Sequence, residues 1–362
     1  MQAGKTIIVG MSGGVDSSVA AYLLQKQGLQ VEGLFMQNWD DDGSGHCTAA
    51  ADLLAAAGAC KTLGIPLHTA KFSAEYRQRV FAHFLDELQQ GRTPNPDILC
   101  NREIKFQVFA DHAMGLGAAK IATGHYVRCE GGENGEVRLL RGTDPNKEQS
   151  YFLYAVPAAK LAQTLFPLGA MHKSEVRALA RKIGLPNHAR PDSTGICFIG
   201  ERNFREFLEQ HLPLASGEII STEGKAIGSH QGLAYYTLGQ RRGLGIGGMP
   251  GGDEPWYVAA KDRAKNRLVA ARGRNHPALF RQQLRAEKAC WIDGRGPQLP
   301  HRCTARIRYR QPDQACLLKA GKGGLEVHFD EPQWAVTPGQ SVVFYEGIVC
   351  LGGGVIADDI AA

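Results

Sequence analysis

The chain reads as an α/β protein: a doubly wound parallel sheet, then a small central domain, then a C-terminal β-barrel. Three observations predict it. Short apolar, β-branched runs alternate with helical stretches through roughly the first half of the chain. From Gly217 helical periodicity fades, and Gly, Thr, Tyr and Val rise. From about Leu284 residues alternate at the period of a strand, which suits a small barrel. The expected domains are residues 1–212, 213–282 and 283–362.

Thr6–Val9 is the first buried strand. Ser12-Gly13-Gly14-Val15-Asp16-Ser17 follows as a tight loop, and Val15, Val19, Leu23 and Leu24 fall at helical spacing up to the stop at Gly28. Two glycines let the backbone approach an anion, and the helix N-terminus aims positive partial charge at the same point. Ser12, Ser17 and Ser18 can donate to phosphate oxygens, while Asp16 takes a structural role or a Mg²⁺. No lysine follows the second glycine, so this is not the Walker loop.

Val31–Met36 is the second strand, closed by the acidic loop Asn38-Trp39-Asp40-Asp41-Asp42. Thr48–Leu63 is a helix, Leu67–Phe72 a strand, Ala74–Gln90 a helix and Lys120–Thr123 a strand. Ligands of such sheets lie off the carboxyl ends of the strands, which makes Met36 and Gly124 candidate walls for an adenine. Asn95 is a good N-cap and Pro96 suits the first turn of a helix running through Phe109 toward Met114. Cys100 then lies near that N-terminus with Arg102 and Lys105 close by, a setting that favours thiolate. Asp97 is one turn away on the same face, where a carboxylate and a thiol can share proton transfer. A buried structural cysteine is the other reading of Cys100.

A hairpin turn is expected at Glu133-Asn134-Gly135. The polar stretch Asp144–Tyr151 either touches RNA or is a solvated loop. Ser174–Ile183 is a helix stopped by Gly184 and Pro186. Cys197 stands in Asp192–Gly200, on the turn before a helix, and is reactive or merely packed. In that helix Asn203 and Glu206 have capping-box spacing, with Phe204, Phe207 and Leu208 on the core face. Gly243–Gly248 matches G-x-G-x-x-G without a strand–helix frame, so no dinucleotide fold is expected there. Gln240-Arg241-Arg242 reads as a basic contact loop.

The formal charge is +5, but Lys261–Arg310 holds fourteen Lys and Arg against three Asp and Glu. Along its end, Cys303, Ala305, Ile307 and Tyr309 point one way, and Arg302, Thr304, Arg306, Arg308 and Arg310 the other. An arginine row on one strand face is expected to be a phosphate surface. Nine cysteines without a CxxC pair fit a reducing cytoplasm better than a disulfide framework or a structural zinc. Met1–Lys5 leads straight into the first strand, so neither a secretory leader nor a membrane location is expected.

Five segments carry a family resemblance. They are Gly10–Ser17, Thr93–Asn101, Ala122–Tyr126, Lys147–Phe152 and Asp192–Gly200. The first has the S-G-G-x-D-S signature of the PP-loop pyrophosphatases, and the two cysteine segments are the specific ones. Together the chain resembles the tRNA-specific 2-thiouridylases along essentially its whole length, with Glu148 where that family more often has Asp.

The resemblance implies ATP with Mg²⁺ at Gly10, Met11, Ser12, Gly13, Gly14, Val15, Asp16 and Ser17, with Met36 and Gly124 beside the adenine. It implies adenylation of the C2 oxygen of the wobble uridine in the anticodon loop of Lys, Glu and Gln tRNAs. Cys197 would carry a persulfide from a cysteine-desulfurase relay, Cys100 would be the nucleophile and Asp97 the proton shuttle. A Cys100–Cys197 disulfide would close the cycle and be reduced. The tRNA contacts implied are Asn95, Pro96, Asp97, Lys147, Glu148, Gln149, Arg308 and Tyr309. Three rivals share parts of the pattern: a PP-loop adenylating ligase, a 4-thiouridine synthetase and a non-catalytic RNA-binding protein.

Overall fold

In the computed structural model, residues 6–40, 49–131, 136–192, 204–213, 215–246 and 254–358 are described. The first sheet is built from β1 (Ile7–Gly10), β2 (Val31–Gln37), β3 (Leu67–Lys71), β4 (Lys120–Ala122) and, after an excursion, Thr164–Leu165. All its pairings are parallel, and the first four strands lie in the order β3-β2-β1-β4. Alternation along β1 sends Ile7 and Val9 to one face and Ile8 to the other.

Helices cover both faces. Helices α1 (Val15–Lys26) and α2 (Ala49–Leu63) pack Val15, Val19, Ala56 and Ala59 against Ile7, Val9 and Phe35. The opposite face carries two helices that the sequence predicts as uniform α but that contain π-helical stretches. One is α3 (Ser73–Tyr76), then π Arg77–Phe81, then α4 (Ala82–Gln89). The other is α5 (Pro96–Leu99), then π Cys100–Val108, then α6 (Phe109–Gly115). Ile104, Phe106, Phe109 and Ala110 bury against Ile8, Leu34 and Ile121. A π turn inserts one residue into the helix, and composition carries no signal for it.

The excursion is a hairpin, β5 (Val127–Gly131) and β6 (Val137–Arg141), which leaves the first sheet and pairs through β6 with the last strand of the chain. Its expected turn at Glu133–Gly135 lies outside the described residues. Helices α7 (Ser150–Leu153) and α8 (Ala158–Ala162) lead back to β7 (Thr164–Leu165), and α9 (Lys173–Lys182) joins α1. In α10 (Phe204–Glu209), Phe207 and Leu208 are buried as expected, but Phe204 is 36% exposed, its ring T-shaped to that of Phe84 at 6.5 Å. Its expected cap, Asn203, lies outside the described residues.

The central sheet contains β8 (Gly217–Ser221), β9 (Ala226–His230), β10 (Trp256–Asp262) and β11 (Arg267–Arg272), in the order β10-β11-β8-β9. Gln240–Arg242 is no loose loop on its near side: the Gly239 N–H donates to Val258 O at 2.8 Å and the Val258 N–H to Gln240 O at 3.0 Å. Gly243–Ile246 is turn and coil, and the residues that follow, 247–253, where a helix of a dinucleotide fold would begin, lie outside the described residues.

The barrel runs β12 (Phe280–Trp291), β13 (His301–Arg306), β14 (Gln314–Gly321), β15 (Gly324–Trp334), β16 (Ser341–Glu346) and β17 (Val349–Ile356). Pairing of β12 with β17 closes these six strands into a barrel over Leu284, Ala305, Leu318, Val327 and Phe344. No helix among the described residues is long and apolar enough to cross a membrane.

Candidate active site

The glycine loop is held from behind. Gly13 adopts φ +77°, and a Cβ there would lie 2.4 Å from Asp52 O and 2.8 Å from Arg190 Nη1. Asn187 Nδ2 donates to Gly13 O at 2.9 Å, and Arg190 Nη1 donates to the same oxygen at 3.3 Å. The Ser17 and Ser18 hydroxyls each donate to Gly14 O at 3.1 Å. Within the loop the Gly14 N–H donates to Ser12 Oγ at 3.3 Å and the Ser12 N–H to Ser17 Oγ at 3.2 Å, so these amides are bonded internally, and the start of α1 supplies the positive partial charge. Of the three serines expected to face phosphate, only Ser12 is exposed, whereas Ser17 and Ser18 are buried within the loop.

Asp16 is bonded within the fold. Both its oxygens lie 2.7 Å from Lys173 Nζ, and Oδ1 accepts from the Tyr126 hydroxyl at 2.7 Å. Lys173 also meets Asp192 at 2.7 Å, as do Arg177 at 2.8 Å and Lys147 at 2.5 Å. Burial alone would raise the Asp192 carboxyl, but the Lys147 and Lys173 bonds outweigh it and bring its pKa down to about 2. Gly124 packs on the same helix start, where a Cβ would come within 2.9 Å of Ser17 N. Met36 is half-buried at the end of β2, opposite Ala70 of β3.

In the segment expected to touch RNA or lie solvated, three side chains make internal bonds. Lys147 is spent on Asp192. Glu148 is buried, accepting from the Ser150 N–H at 2.5 Å and from Arg306 at 3.3 Å. Gln149 Oε1 accepts from the Tyr126 N–H at 3.0 Å. The stretch is a clasp between the loop's support and the barrel.

The thiol segment runs alongside. Asn95 Oδ1 caps its helix by accepting from the Asp97 N–H at 3.2 Å, with the buried Pro96 in the first turn. Cys100 is 4% exposed and opens the π stretch. Downstream in the same helix, the Phe109 ring lies 3.3 Å from where a Gly10 Cβ would stand, so this helix packs directly under the start of the phosphate loop. Crowding by neighbouring chain raises the Asp97 carboxyl above the ordinary carboxylate value, against the pull of the Lys105 ammonium; the side chain keeps a solvent-exposed edge. Desolvation, and then Lys105, lower His125 well below its usual value, so its imidazole is neutral at neutral pH. His125 Nδ1 meets Thr123 Oγ1 at 2.9 Å, and its ring lies 5.7 Å from that of Phe106. Cys197 lies outside the described residues.

The expected arginine row is corrected. Strand β13 ends at Arg306, so Arg308 and Arg310 stand in the following turn and share no strand face with Arg302. Arg302 forms a two-pronged pair with Asp330, both bonds 2.7 Å. Arg306 bonds Asp313 at 2.7 Å as well as Glu148. Arg308 Nη2 donates to Leu238 O, Ala335 O and Thr337 Oγ1 at 3.0–3.2 Å, joining the central domain to the barrel. Tyr309 stacks at 4.4 Å on Phe152, whose carbonyl accepts from Asn101 Nδ2 at 3.1 Å. The barrel turn therefore abuts the Cys100 helix, and Arg310 is exposed beside it.

Comparison with known proteins decides the family. A profile described as the tRNA methyl transferase HUP domain matches residues 5–201. A tRNA methyl transferase PRC-barrel domain matches 205–272, and an aminomethyltransferase beta-barrel domain 281–356. The tRNA-specific 2-thiouridylase MnmA of Pseudomonas entomophila is 60% identical over 353 residues, covering 97% of this chain and 94% of its own. The chain belongs to the tRNA-specific 2-thiouridylase family. The enzyme of that name from Chromohalobacter salexigens is likewise 60% identical, over 97% of this chain and 92% of its own. A 4-thiouridine synthetase–RNA complex with bound ATP aligns at TM-score 0.37 and 17% identity, over 57% of this chain and 49% of its own.

For a 2-thiouridylase-family chain, the groups that sequence reading left without a role are the supports. Lys173, Asn187 and Arg190 reach the loop from far along the chain, and no local pattern announces them. His125 had one signal: it follows a short strand that ends at the ligand edge of the sheet.

Proposed function

We propose that this chain, whose relatives are named tRNA-specific 2-thiouridylases, catalyses ATP-dependent 2-thiolation of the wobble uridine of tRNA. The observation that carries the reading is the packing of the Asp97–Cys100 helix under the phosphate loop, Phe109 against Gly10. A helix that carries a thiol, packed against the start of a glycine loop, supports that reading.

The loop fits ATP: Gly13 lies too close to Asp52 O to carry a side chain, which keeps the turn tight, and the α1 N-terminus that follows favours phosphate. Gly10–Ser17 would hold the phosphates, and Met36 and Gly124 would flank the adenine. Adenylation converts the uridine C2 oxygen from a poor leaving group into AMP, with pyrophosphate released. Cys197 carries persulfide sulfur delivered by a cysteine-desulfurase relay. The sulfur attacks C2, either from that persulfide or after Cys100 releases it as hydrosulfide, and a Cys100–Cys197 disulfide is then reduced. Asp97, whose carboxyl is raised by burial against the pull of Lys105, moves the proton.

Mg²⁺ accompanies the nucleotide in this proposal. Asp16 does not fit as its ligand, because Lys173 Nζ meets both oxygens. Lys, Glu and Gln tRNAs would lay the anticodon loop along Asn95–Asp97 and the barrel turn at Tyr309. Lys147, Glu148, Gln149 and Arg308 support that surface from inside, given their internal bonds. The division of the chain at residues 212 and 282 is kept as the proposed domain plan.

The test is nucleoside mass spectrometry of tRNA incubated with enzyme, ATP and sulfide, alongside pyrophosphate release with and without tRNA. The expected result is tRNA-dependent pyrophosphate release and 2-thiouridine. Release without any thiolated nucleoside would point to an adenylating ligase, and 4-thiouridine would point to the other synthetase.

A further inference from the structure

Two cysteines far from the nucleotide loop face each other across the barrel wall. Cys303 of β13 stands directly opposite Cys316 of β14 in the antiparallel register. Their Sγ atoms are 3.7 Å apart. By contrast, Cys129 and Cys290 point their thiols at backbone carbonyls, Leu161 O and Tyr154 O. Directly opposed residues of an antiparallel pair hold their Cβ atoms about 4.5–5.5 Å apart, close to the disulfide range of about 3.5–4.5 Å. Closing the remaining gap to about 2.05 Å takes rotation about χ1 and a small strand approach.

We propose that Cys303 and Cys316 form a reversible cross-strand disulfide under oxidation, a modification site separate from the sulfur-transfer thiols. Their unequal exposure sets the order of events: Cys316 is 0% exposed, while Cys303 is only partly buried. The oxidant is a small disulfide such as glutathione disulfide. The Cys303 thiolate attacks one of its sulfurs, the small S–S bond breaks, and one glutathione leaves as thiolate and takes a proton. Cys316 then loses its proton and attacks Cys303 Sγ, expelling the second glutathione. Two protein thiols become one disulfide, and one small disulfide becomes two thiols. The hydrogen bond to Cys316, together with burial, raises the Cys303 thiol, so thiolate is scarce and the exchange is slow.

The experiment incubates the full chain in graded glutathione disulfide, blocks remaining thiols with iodoacetamide and digests with trypsin. The expected product joins Cys303–Arg306 to Gln311–Lys319 and weighs two hydrogens less than the separate reduced peptides. Cys316→Ser should trap glutathione on Cys303, and Cys303→Ser should leave Cys316 unmodified; Cys316→Ala serves if the serine variant does not fold. Stable glutathione on Cys303 in the unaltered chain would overturn the proposal. So would two reduced thiols at a ratio that links the urea-unfolded chain.

Discussion

The phosphate-loop edge and the arginine-bearing strand of the barrel are both rich in charge, yet they use it differently. At the sheet edge, side chains reach in from behind, with Asn187 and Arg190 on Gly13 O and Lys173 on Asp16, and fix the loop at the start of α1. On β13 the cations are consumed: Arg302 by Asp330, Arg306 by Asp313 and Glu148. An anion site is made less by counting cations than by fixing a helix N-terminus, whose partial positive charge needs no cation. A paired guanidinium must break charge-assisted bonds before it can hold a phosphate.

The largest effect that tests this contrast is at the thiol. Cys100→Ser should cut 2-thiouridine formation on the order of 10⁴-fold or more, because a serine hydroxyl is a weak nucleophile and cannot take part in persulfide exchange. Pyrophosphate release should persist in part. Equal loss of both activities would mean that the helix, not the thiol, had been damaged. Next comes Gly13→Ala, which places a Cβ against Asp52 O and strains a positive φ. It should cost about 1–3 kcal/mol in urea unfolding and abolish pyrophosphate release. Full turnover in a folded Gly13→Ala enzyme would remove the loop from the nucleotide site.

Two carboxylates at the sheet edge should respond to pH with opposite signs. Asp97 binds its proton more tightly in the folded chain, so its ionisation weakens the fold as pH rises through that raised value. Asp97→Asn should therefore be slightly more stable at neutral pH, while thiolation falls about 10²- to 10⁴-fold. Asp192 is the reverse. Its stabilising contribution is present above its ordinary value of 3.8 and is lost as pH falls toward about 2. Urea midpoints measured through that window should drop more steeply in the parent than in Asp192→Asn. Parallel curves would show that Lys147, Lys173 and Arg177 do not depend on that carboxylate.

Much of the sheet edge was legible in sequence because its signals are local. Strand, glycine loop and helix follow within Ile7–Lys26, and the Asn95 cap with Pro96 announces the Cys100 helix. What escaped was long-range. Asp16 could not be assigned without Lys173, which lies far along the chain and arrives only through packing of α9 on α1. The π turn at Cys100 leaves no composition trace. The arginine pattern misled because alternation was extended past the strand end at Arg306, and because Asp330 and Asp313, the partners, come from later in the chain.

The smallest effect separates two neighbouring arginines of that barrel turn. Arg308→Ala strands Leu238 O, Ala335 O and Thr337 Oγ1, three acceptors where the central domain meets the barrel. Its cost should appear as about 1–3 kcal/mol of stability, with the salt dependence of tRNA binding unchanged. Arg310 is exposed, and its guanidinium lies 5.9 Å from the Tyr309 ring centre, itself stacked on Phe152 beside the Cys100 helix. If it meets one phosphate of the bound tRNA, Arg310→Ala should leave stability intact. It should also flatten the slope of log K against log salt by about 0.7–0.9, the counterion release of a single contact. Tightly paired cations release no such counterion, so the two variants divide the turn into a strut and a contact. A slope change in Arg308→Ala with none in Arg310→Ala would reverse that division, and would return Arg308 to the phosphate surface at the expense of its internal bonds.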